Sequence, residues 1–189
     1  YAVEKGIILK NPMEHVVVPK PEEHFLAEKE EERNFWEKEE LKSFLKLSKN
    51  GMEQMDYIMC YLLIFTGLRK GELLALKWSD IKDSQLNINK TLYFEKNKEI
   101  IQKTKAYAAR TIYLDEQTTK TIQRWKIKQR EELLKFGITE DPKYVLSRLD
   151  MRPLRLAYPN DTLDSFLGRH KIHRITVHGL RHTHASMLF

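Results

Sequence analysis

The sequence predicts a mainly α-helical protein with a small antiparallel three-stranded β-sheet inserted between the helices. Apolar residues recur at helical spacing over most of residues 36–77 and again over residues 116–135. Between these segments, in residues 86–114, the pattern changes to short runs of alternating apolar and polar residues, which is typical of strands. Of the 189 residues, 41% are hydrophobic, which is enough for one domain with a buried core.

Three helices are predicted in the first half of the chain. The first begins near Trp36 and ends at Asn50-Gly51, because glycine readily adopts the conformation that terminates a helix. The second, over residues 53–65, is apolar nearly all round and is therefore expected to be a central buried helix, ending at Thr66-Gly67. A short helix over residues 70–77 should follow, with its leucines directed inward.

The sheet and three further helices are predicted in the second half. The strand candidates are residues 86–94, 100–101 and 111–114, joined by lysine-rich turns. Helices are expected over residues 116–135, from about Asn160 to His170, and from about Gly179 onward. A short extended piece at residues 144–146 separates the first two of these helices.

The N-terminal residues differ in composition from the rest of the chain. Residues 1–20 are interpreted as the end of a preceding domain, in which Ala2–Leu9 closes a helix and residues 16–21 are extended, because proline restricts its neighbours. Residues 21–34 are acidic and have no apolar stripe, so they are predicted to be a linker. The main domain is therefore expected to occupy residues 35–189.

The charge is unevenly distributed. The whole chain carries a net charge of +6, but residues 22–40 hold nine acidic and three basic side chains. Without that segment the chain has 30 basic and 18 acidic residues, a net charge of +12. A body with this charge favours a polyanionic partner such as nucleic acid, although a merely solvated basic surface would have the same composition.

Several classes of protein are excluded or disfavoured by composition. The longest apolar stretch, residues 57–65, is about half the length needed to span a membrane. No basic-then-apolar signal pattern begins the sequence. The single cysteine, Cys60, excludes a disulfide framework and a zinc site built from several cysteines. The expected location is therefore the cytoplasm, without a membrane partner.

The first segment whose residues could take part in chemistry is Thr66–Leu73, at the junction between the buried helix and the short helix. Arg69 lies at this junction, and arginine's planar fork can grip a phosphate through two parallel hydrogen bonds. Glu72, three residues later, lies on the same helical side and could orient the guanidinium group. A simple surface pair of arginine and glutamate would have the same spacing.

The second segment is the basic stretch from Gln102 to Lys105, predicted to be a turn, with Arg110 in the following strand. Lys103 and Lys105 at such a hairpin tip could contact a phosphate. Most lysines in turns are simply solvated, so this stretch alone does not distinguish a phosphate contact from a solvated turn.

The third segment is His178–His184, which begins the last predicted helix. His178 and Arg181 are three residues apart and share one face, where the helix dipole also favours an anion. A histidine beside an arginine suits phosphoryl chemistry, because one group moves protons while the other balances developing charge. The histidines fit no common zinc spacing, so we predict no metal site. Capping or packing roles for them remain the structural alternative.

Together, and in this order, these segments resemble the tyrosine recombinase (phage integrase) family. Residues 66–78, TGLRKGELLALKW, are similar to the family's first-arginine motif, and residues 178–188, HGLRHTHASML, to its His-x-x-Arg motif. Residues 103–114, KTKAYAARTIYL, resemble the hairpin that carries the family's lysine. Residues 10–20, KNPMEHVVVPK, resemble the junction between the core-binding and catalytic domains. The resemblance covers nearly the whole chain, is closest to integrases of bacterial mobile elements and implies the tyrosine recombinase catalytic-domain fold.

The resemblance implies a role for each matched residue. Arg69 and Arg181 would hold the scissile phosphate and stabilise its pentavalent transition state, with Glu72 orienting the arginine. His178 would assist proton transfer and hold a non-bridging oxygen. Lys103 would be the general acid that protonates the departing 5′-oxygen.

The same resemblance leaves the choice between two lysines open and implies which nucleophile the reaction uses and which cofactors it does without. Lys105 is the alternative to Lys103 as general acid, and Lys105 and Arg110 would otherwise contact DNA. The family's nucleophile is a tyrosine that forms a covalent 3′-phosphotyrosine link to DNA. No ATP, metal or other cofactor takes part.

In the family, the nucleophilic tyrosine and a second histidine or tryptophan follow the His-x-x-Arg motif by more residues than this sequence contains. We therefore expect the sequence to be a fragment of a longer integrase that binds DNA weakly and does not cleave it. The full-length protein would assemble as a tetramer on double-stranded DNA. Several internal tyrosines precede the motif and are poor substitutes for the nucleophile, namely Tyr93, Tyr107, Tyr113, Tyr144 and Tyr158.

Two other functions are compatible with parts of the sequence. A non-catalytic DNA-binding module could keep the fold without the reaction, although a pure binder would not need all four of Arg69, Lys103, His178 and Arg181. A metal-dependent nuclease could use the histidines, but few carboxylates lie near them in the sequence.

Overall fold

The computed structural model describes residues 3–10, 33–95, 98–103 and 109–188. The chain divides into two compact units, Tyr1–Glu32 and Arg33–Phe189. In the first unit, residues 3–10 form turns and bends, and Gly6 has a φ of 66°. An α-helix cannot contain that angle, so the helix predicted to end at Leu9 is wrong for these residues. The predicted extended segment 16–21 and almost all of the predicted linker lie outside the described residues.

The second unit is mainly helical, as predicted. Helix α2, Gln54–Thr66, is the central element: it is buried nearly all round and contacts every other described helix. Packing from all sides explains why its sequence is apolar on every face. The helices, in chain order, are α1 Lys38–Gly51, α2 Gln54–Thr66, α3 Lys70–Leu74, α4 Glu116–Lys135, α5 Tyr158–Arg169 and α6 Val177–Ser186.

Helix α3 is shorter than predicted. It ends at Leu74 because the chain then becomes extended to pair with the segment at Tyr144. Lys77 has extended backbone angles, φ −104° and ψ 156°, which no helix can include, and the Leu76 carbonyl accepts the Val145 N–H at 3.0 Å. The leucines of this segment are nevertheless buried, as the pattern predicted.

The strands are antiparallel, as predicted, but they form two sheets. Strands β1 (Ile81–Lys82), β2 (Gln85–Ile88) and β5 (Arg110–Tyr113) form the three-stranded sheet in the order β1-β2-β5. Strands β3 (Lys90–Glu95) and β4 (Lys98–Lys103) form a separate hairpin. The division arises because β2 pairs with β5, so the hairpin between them forms its own two-stranded ladder.

This pairing corrects the predicted position of Lys103. Lys103 is the last residue of β4 and lies opposite Lys90, so it continues the ladder rather than forming a hairpin tip. At its other end, the β3–β4 ladder closes with the pair Glu95 and Lys98.

The hairpin is fixed to the helical body through α3. A Cβ on Gly71 would lie 2.3 Å from the Leu92 carbonyl oxygen, so only glycine allows β3 to approach α3 this closely. Strand β3 therefore lies directly against the helix that Arg69 begins. Among the described residues, no helix has the length and apolar character required to cross a membrane.

Candidate active site

Arg69 lies between α2 and α3. Helix α2 ends at Gly67, whose φ of 60° is in the left-handed region and whose N–H bonds to the Leu63 carbonyl at 3.2 Å. Arg69 is the N-cap of α3 and has extended backbone angles. This short non-helical link leaves the Arg69 side chain 61% exposed.

Glu72 is the buried carboxylate beside this arginine, with only 4% of its side chain exposed. Arg110 donates Nη1 to Oε1 and Nη2 to Oε2, both at 2.8 Å. Arg69 donates its backbone N–H to Oε2 at 2.8 Å and Nη1 to Oε1 at 3.2 Å. Burial by itself would raise the pKa of the Glu72 carboxyl, but the hydrogen bonds from Arg110 and Arg69 outweigh burial and lower the pKa below its ordinary value. Glu72 is therefore ionised at neutral pH.

Helix α6 begins with a well-defined cap. The Thr176 hydroxyl accepts the Gly179 N–H at 3.1 Å, and Asn34 Oδ1 accepts the Thr176 N–H at 2.8 Å. A Cβ on Gly179 would lie 2.5 Å from Asn34 Oδ1, so glycine is required for this approach. The cap fixes the first turn of α6, from which His178 and Arg181 project.

Arg181 joins the start of α6 to the end of α2. Its Nη1 donates to the Gly67 carbonyl, one of the carbonyls that the end of a helix leaves without a helical partner. Burial lowers the pKa of Arg181, and the positive charges of Arg69 and Arg110 lower it further. The three guanidinium groups are therefore close enough to repel one another, although arginine stays protonated in proteins.

Arg69, His178 and Arg181 line one pocket of about 230 Å³. Lys70 and Asn160 add to its polar wall, with Lys70 Nζ donating to Asn160 Oδ1 at 3.3 Å. The first residues of α6 also line the pocket, and the positive end of the helix dipole favours an anion there. Two arginines, a lysine and a helix N-terminus around one pocket are well suited to a phosphate.

His178 can accept a proton in this pocket. Burial lowers its pKa below the ordinary value, and the positive charges of His182, Arg181 and Arg69 lower it further. The imidazole is therefore neutral at pH 7. Its ring meets the His182 ring edge to face, with 4.6 Å between the centroids.

His184 has a structural role instead. Its Nδ1 lies 2.7 Å from the Ile64 carbonyl oxygen, and because a carbonyl only accepts, Nδ1 carries the proton. The ring covers Gly67, where a Cβ would lie 2.5 Å from His184 Cδ2. In the described part of the chain, no three His, Cys, Asp or Glu side chains form a group that could hold a metal ion.

The predicted lysine lies outside this group of residues. Lys103 is exposed at the end of β4 and is not part of the pocket lining, although β4 pairs with β3, which packs on α3. Lys105 lies outside the described residues. Arg110, predicted to contact DNA, directs both Nη groups to Glu72.

Sequence reasoning missed three contacts that build the site: the Arg110–Glu72 pair, the His184 contact with α2 and the Asn34 cap of α6. The partners in these contacts are 38, 120 and 142 residues apart in the sequence. For Arg110, the one available signal is a basic residue that begins a strand of the inserted sheet. That signal does not indicate that Glu72 is the partner of Arg110.

Comparisons with known proteins agree on one family. The phage integrase family model matches residues 34–189. A tyrosine recombinase XerC-like protein of Caldanaerobacter subterraneus subsp. tengcongensis is 30% identical over 209 residues, and the ICEBs1 integrase of Bacillus subtilis is 26% identical over 140 residues. These matches cover 100% and 72% of this chain, and 51% and 38% of the relatives. The chain thus spans about half the length, or less, of these relatives.

Solved structures agree on the fold. The Tn1549 transposon integrase in complex with transposon right end DNA has a TM-score of 0.67 at 22% identity, covering 86% of this chain and 55% of that one. The XerA recombinase has a TM-score of 0.60 at 19% identity, covering 91% of this chain and 52% of that one. The likeness confirms the predicted tyrosine recombinase catalytic-domain fold. Because the family model matches most of its length, this chain belongs to the phage integrase family, whose members include the tyrosine recombinases.

Proposed function

We propose that this chain is the catalytic part of a site-specific recombinase that cleaves and rejoins DNA through a 3′-phosphotyrosine intermediate. The observation that carries the proposal is the pocket in which Arg69, His178 and Arg181 meet, from two helix starts more than 100 residues apart. A phosphodiester there would contact two guanidinium groups. The neighbouring carboxylate of Glu72 is already occupied by Arg110 and Arg69.

In the proposed reaction, a tyrosine oxygen attacks the scissile phosphorus and the 5′-oxygen of the adjacent nucleotide leaves. Negative charge builds up on the non-bridging oxygens of the pentavalent transition state, and Arg69 and Arg181 stabilise it through charge-assisted hydrogen bonds. His178, neutral at pH 7, would take up or relay a proton at this centre. Lys103 would donate the proton that the leaving 5′-oxygen needs, with Lys105 as the alternative.

The nucleophile is proposed to lie in the parent protein outside residues 1–189. The matched relatives are two to three times as long as the part that this chain covers, which supports that placement. Residues 1–20 would be the end of a core-binding domain, residues 21–34 an acidic linker and residues 35–189 the catalytic domain. Rejoining then reverses the chemistry: the free 5′-hydroxyl attacks the phosphotyrosine, so neither ATP nor a metal is required.

The proposed partner is double-stranded DNA, with four copies of the parent protein assembling on it. Solved complexes of the Tn1549 integrase and of XerH with DNA support DNA as a partner. The net charge of +12 outside residues 22–40 gives the electrostatic attraction. A DNA-acting protein of this kind would work in the cytoplasm of a bacterial cell.

A suicide DNA substrate tests the proposal in the parent protein. Cleavage should trap a covalent protein–DNA adduct in the presence of EDTA, and digestion should map the DNA to a tyrosine. Arg69→Ala should abolish most of the adduct. DNA binding without any adduct would support the non-catalytic DNA-binding module instead. Loss of the adduct with EDTA would overturn the metal-free mechanism.

A further inference from the structure

Glu72 distributes its hydrogen bonds unequally between two arginines, Arg69 and Arg110. A carboxylate offers about four lone-pair positions, and Glu72 accepts four N–H groups. Three of these bonds measure 2.8 Å, two from Arg110 and one from the Arg69 backbone. The bond from the Arg69 side chain is the longest, at 3.2 Å.

Arg110 is the dominant partner of Glu72. Its two parallel bonds use the fork geometry that fits a carboxylate best, and its side chain is 31% exposed. Arg69, by contrast, gives Glu72 a single side-chain N–H and is 61% exposed. The remaining N–H groups of Arg69 are therefore available to an anion in the pocket.

We propose that Arg110 is a positioning residue, which occupies the Glu72 oxygens and thereby keeps the Arg69 guanidinium directed toward the pocket. The proposal rests on the proposed function for its meaning in catalysis. It assigns Arg110 a role inside the protein rather than a contact with DNA. Arg110 also belongs to β5, so the three-stranded sheet is tied to the helix that Arg69 begins.

Removing Arg110 should change the conformation of Arg69. Glu72 is buried and would lose two of its four hydrogen bonds. The nearest cation is Arg69, one helical turn away, and its fork would then pair with both Glu72 oxygens. An arginine held in this way has fewer N–H groups for a phosphate, and the paired carboxylate also weakens its positive field.

Single-turnover cleavage of a suicide substrate by the parent protein tests this coupling. Arg110→Ala should slow cleavage roughly 10- to 100-fold at saturating DNA, because the Arg69 guanidinium would no longer be positioned to bind the phosphate. Adding Glu72→Gln should restore at least about 5-fold, since a neutral amide no longer captures Arg69. Arg130→Ala is the matched control: Arg130 is 32% exposed and pairs with Asp141, so it removes the same charge elsewhere on the surface.

A DNA contact by Arg110 gives the opposite pattern. In that case Arg110→Ala would weaken DNA binding and reduce its salt dependence, and Glu72→Gln would give no rescue. That result overturns the proposal. If Arg110→Ala does not fold, Arg110→Lys takes its place, because it keeps a cation beside the buried carboxylate and lacks only the fork. The same rescue by Glu72→Gln is expected.

A structural measurement decides the inference independently of activity. In a crystal structure of the 189-residue chain with Arg110→Ala or Arg110→Lys, two Arg69 side-chain nitrogens should lie within hydrogen-bond distance of Glu72. An Arg69 that keeps its single contact overturns the proposal. If the parent protein forms no adduct at all, the proposed function fails, and this structural comparison still tests the positioning of Arg69.

Discussion

Helix α4 and the pocket at the start of α6 are both rich in basic residues, but their charges are balanced differently. On α4, Lys120 pairs with Glu116 at 2.5 Å, and Lys135 pairs with Glu132 at 2.9 Å. In the pocket, two arginines and a lysine line the wall, and none of the carboxylates that the structure describes lines it with them. The nearest acid, Glu72, is shared by Arg69 and Arg110.

The comparison separates two kinds of positive charge that composition cannot distinguish. Exposed pairs such as those on α4 contribute little to stability, because solvent screens them, and they cancel the local field. In the pocket, burial lowers the pKa of Arg181, and the positive charges of Arg69 and Arg110 lower it further, so an anion bound there would relieve their mutual repulsion. We therefore expect the functional part of the net charge to be the part that carboxylates do not fully balance, as in the pocket, where one carboxylate, Glu72, serves both Arg69 and Arg110.

The largest effect is expected for Arg181→Ala in the pocket. Its guanidinium donates to the Gly67 carbonyl and lines the pocket in which, in the proposed reaction, negative charge develops on the phosphate. Loss of one such donor typically costs on the order of 3–4 kcal/mol in the transition state, or roughly 100- to 1000-fold in the cleavage rate. Single-turnover adduct formation by the parent protein measures it.

Arg130→Ala on α4 is the control for this substitution. It removes an arginine that is paired with Asp141, so cleavage should stay close to that of the wild type. Equal losses for the two variants would mean that total charge, rather than the unpaired charge of the pocket, controls cleavage.

A somewhat smaller effect, about 100-fold, is expected for Lys103→Ala, which removes the proposed general acid. Replacing the leaving 5′-oxygen by sulfur should restore most of the rate, because a thiolate departs without a proton. The same substrate should not rescue Arg181→Ala, since that residue stabilises charge rather than donating a proton. Rescue of Lys105→Ala instead of Lys103→Ala would move the assignment by two residues.

Lys70→Ala should weaken DNA binding by less than about 10-fold at moderate salt. Lys70 lines the pocket, and its hydrogen bond among the described residues is to the neutral Asn160, so its charge is available to a phosphate. Removing one phosphate contact should lower the slope of log K against log salt by about 1. A titration of duplex DNA at several salt concentrations measures the slope, with Lys135→Ala on α4 as the control that leaves it unchanged.

The helical part of the fold could be predicted because burial leaves a periodic pattern in the sequence. Helix α4 begins and ends within the predicted residues 116–135, and α2 is the buried central helix that its apolar sequence indicated. Strand pairing leaves no comparable signal. Alternation located the strands but could not show that β2 pairs with β5, and this is why Lys103 was placed in a turn.

The candidate site likewise contains residues that the sequence could predict and contacts that it could not. Arg69, His178 and Arg181 could be named because they stand in short motifs whose spacing survives in the linear sequence. The pairing of Arg110 with Glu72 depends on β5 reaching α3, a contact between residues 38 apart. His184 looked like a member of a histidine cluster, but its ring packs on Gly67, which no spacing rule indicates.

The smallest effect is expected on α4, for Lys120→Ala. Lys120 and Glu116 form an i,i+4 pair, and their side chains are 55% and 82% exposed. Such pairs stabilise a helix by only about 0.3–0.5 kcal/mol, because solvent screens them and two long side chains must be ordered. Denaturant unfolding should therefore show a loss of stability within that range, and the loss should shrink further at high salt.

DNA cleavage by the parent protein should not change. The substitution leaves one acid on α4, Glu116, without its partner, and it alters none of the residues that line the pocket. If Lys120→Ala reduced cleavage by as large a factor as Lys70→Ala reduces DNA binding, the balanced charge on α4 would also contact DNA. The distinction between the two basic regions would then have to be abandoned.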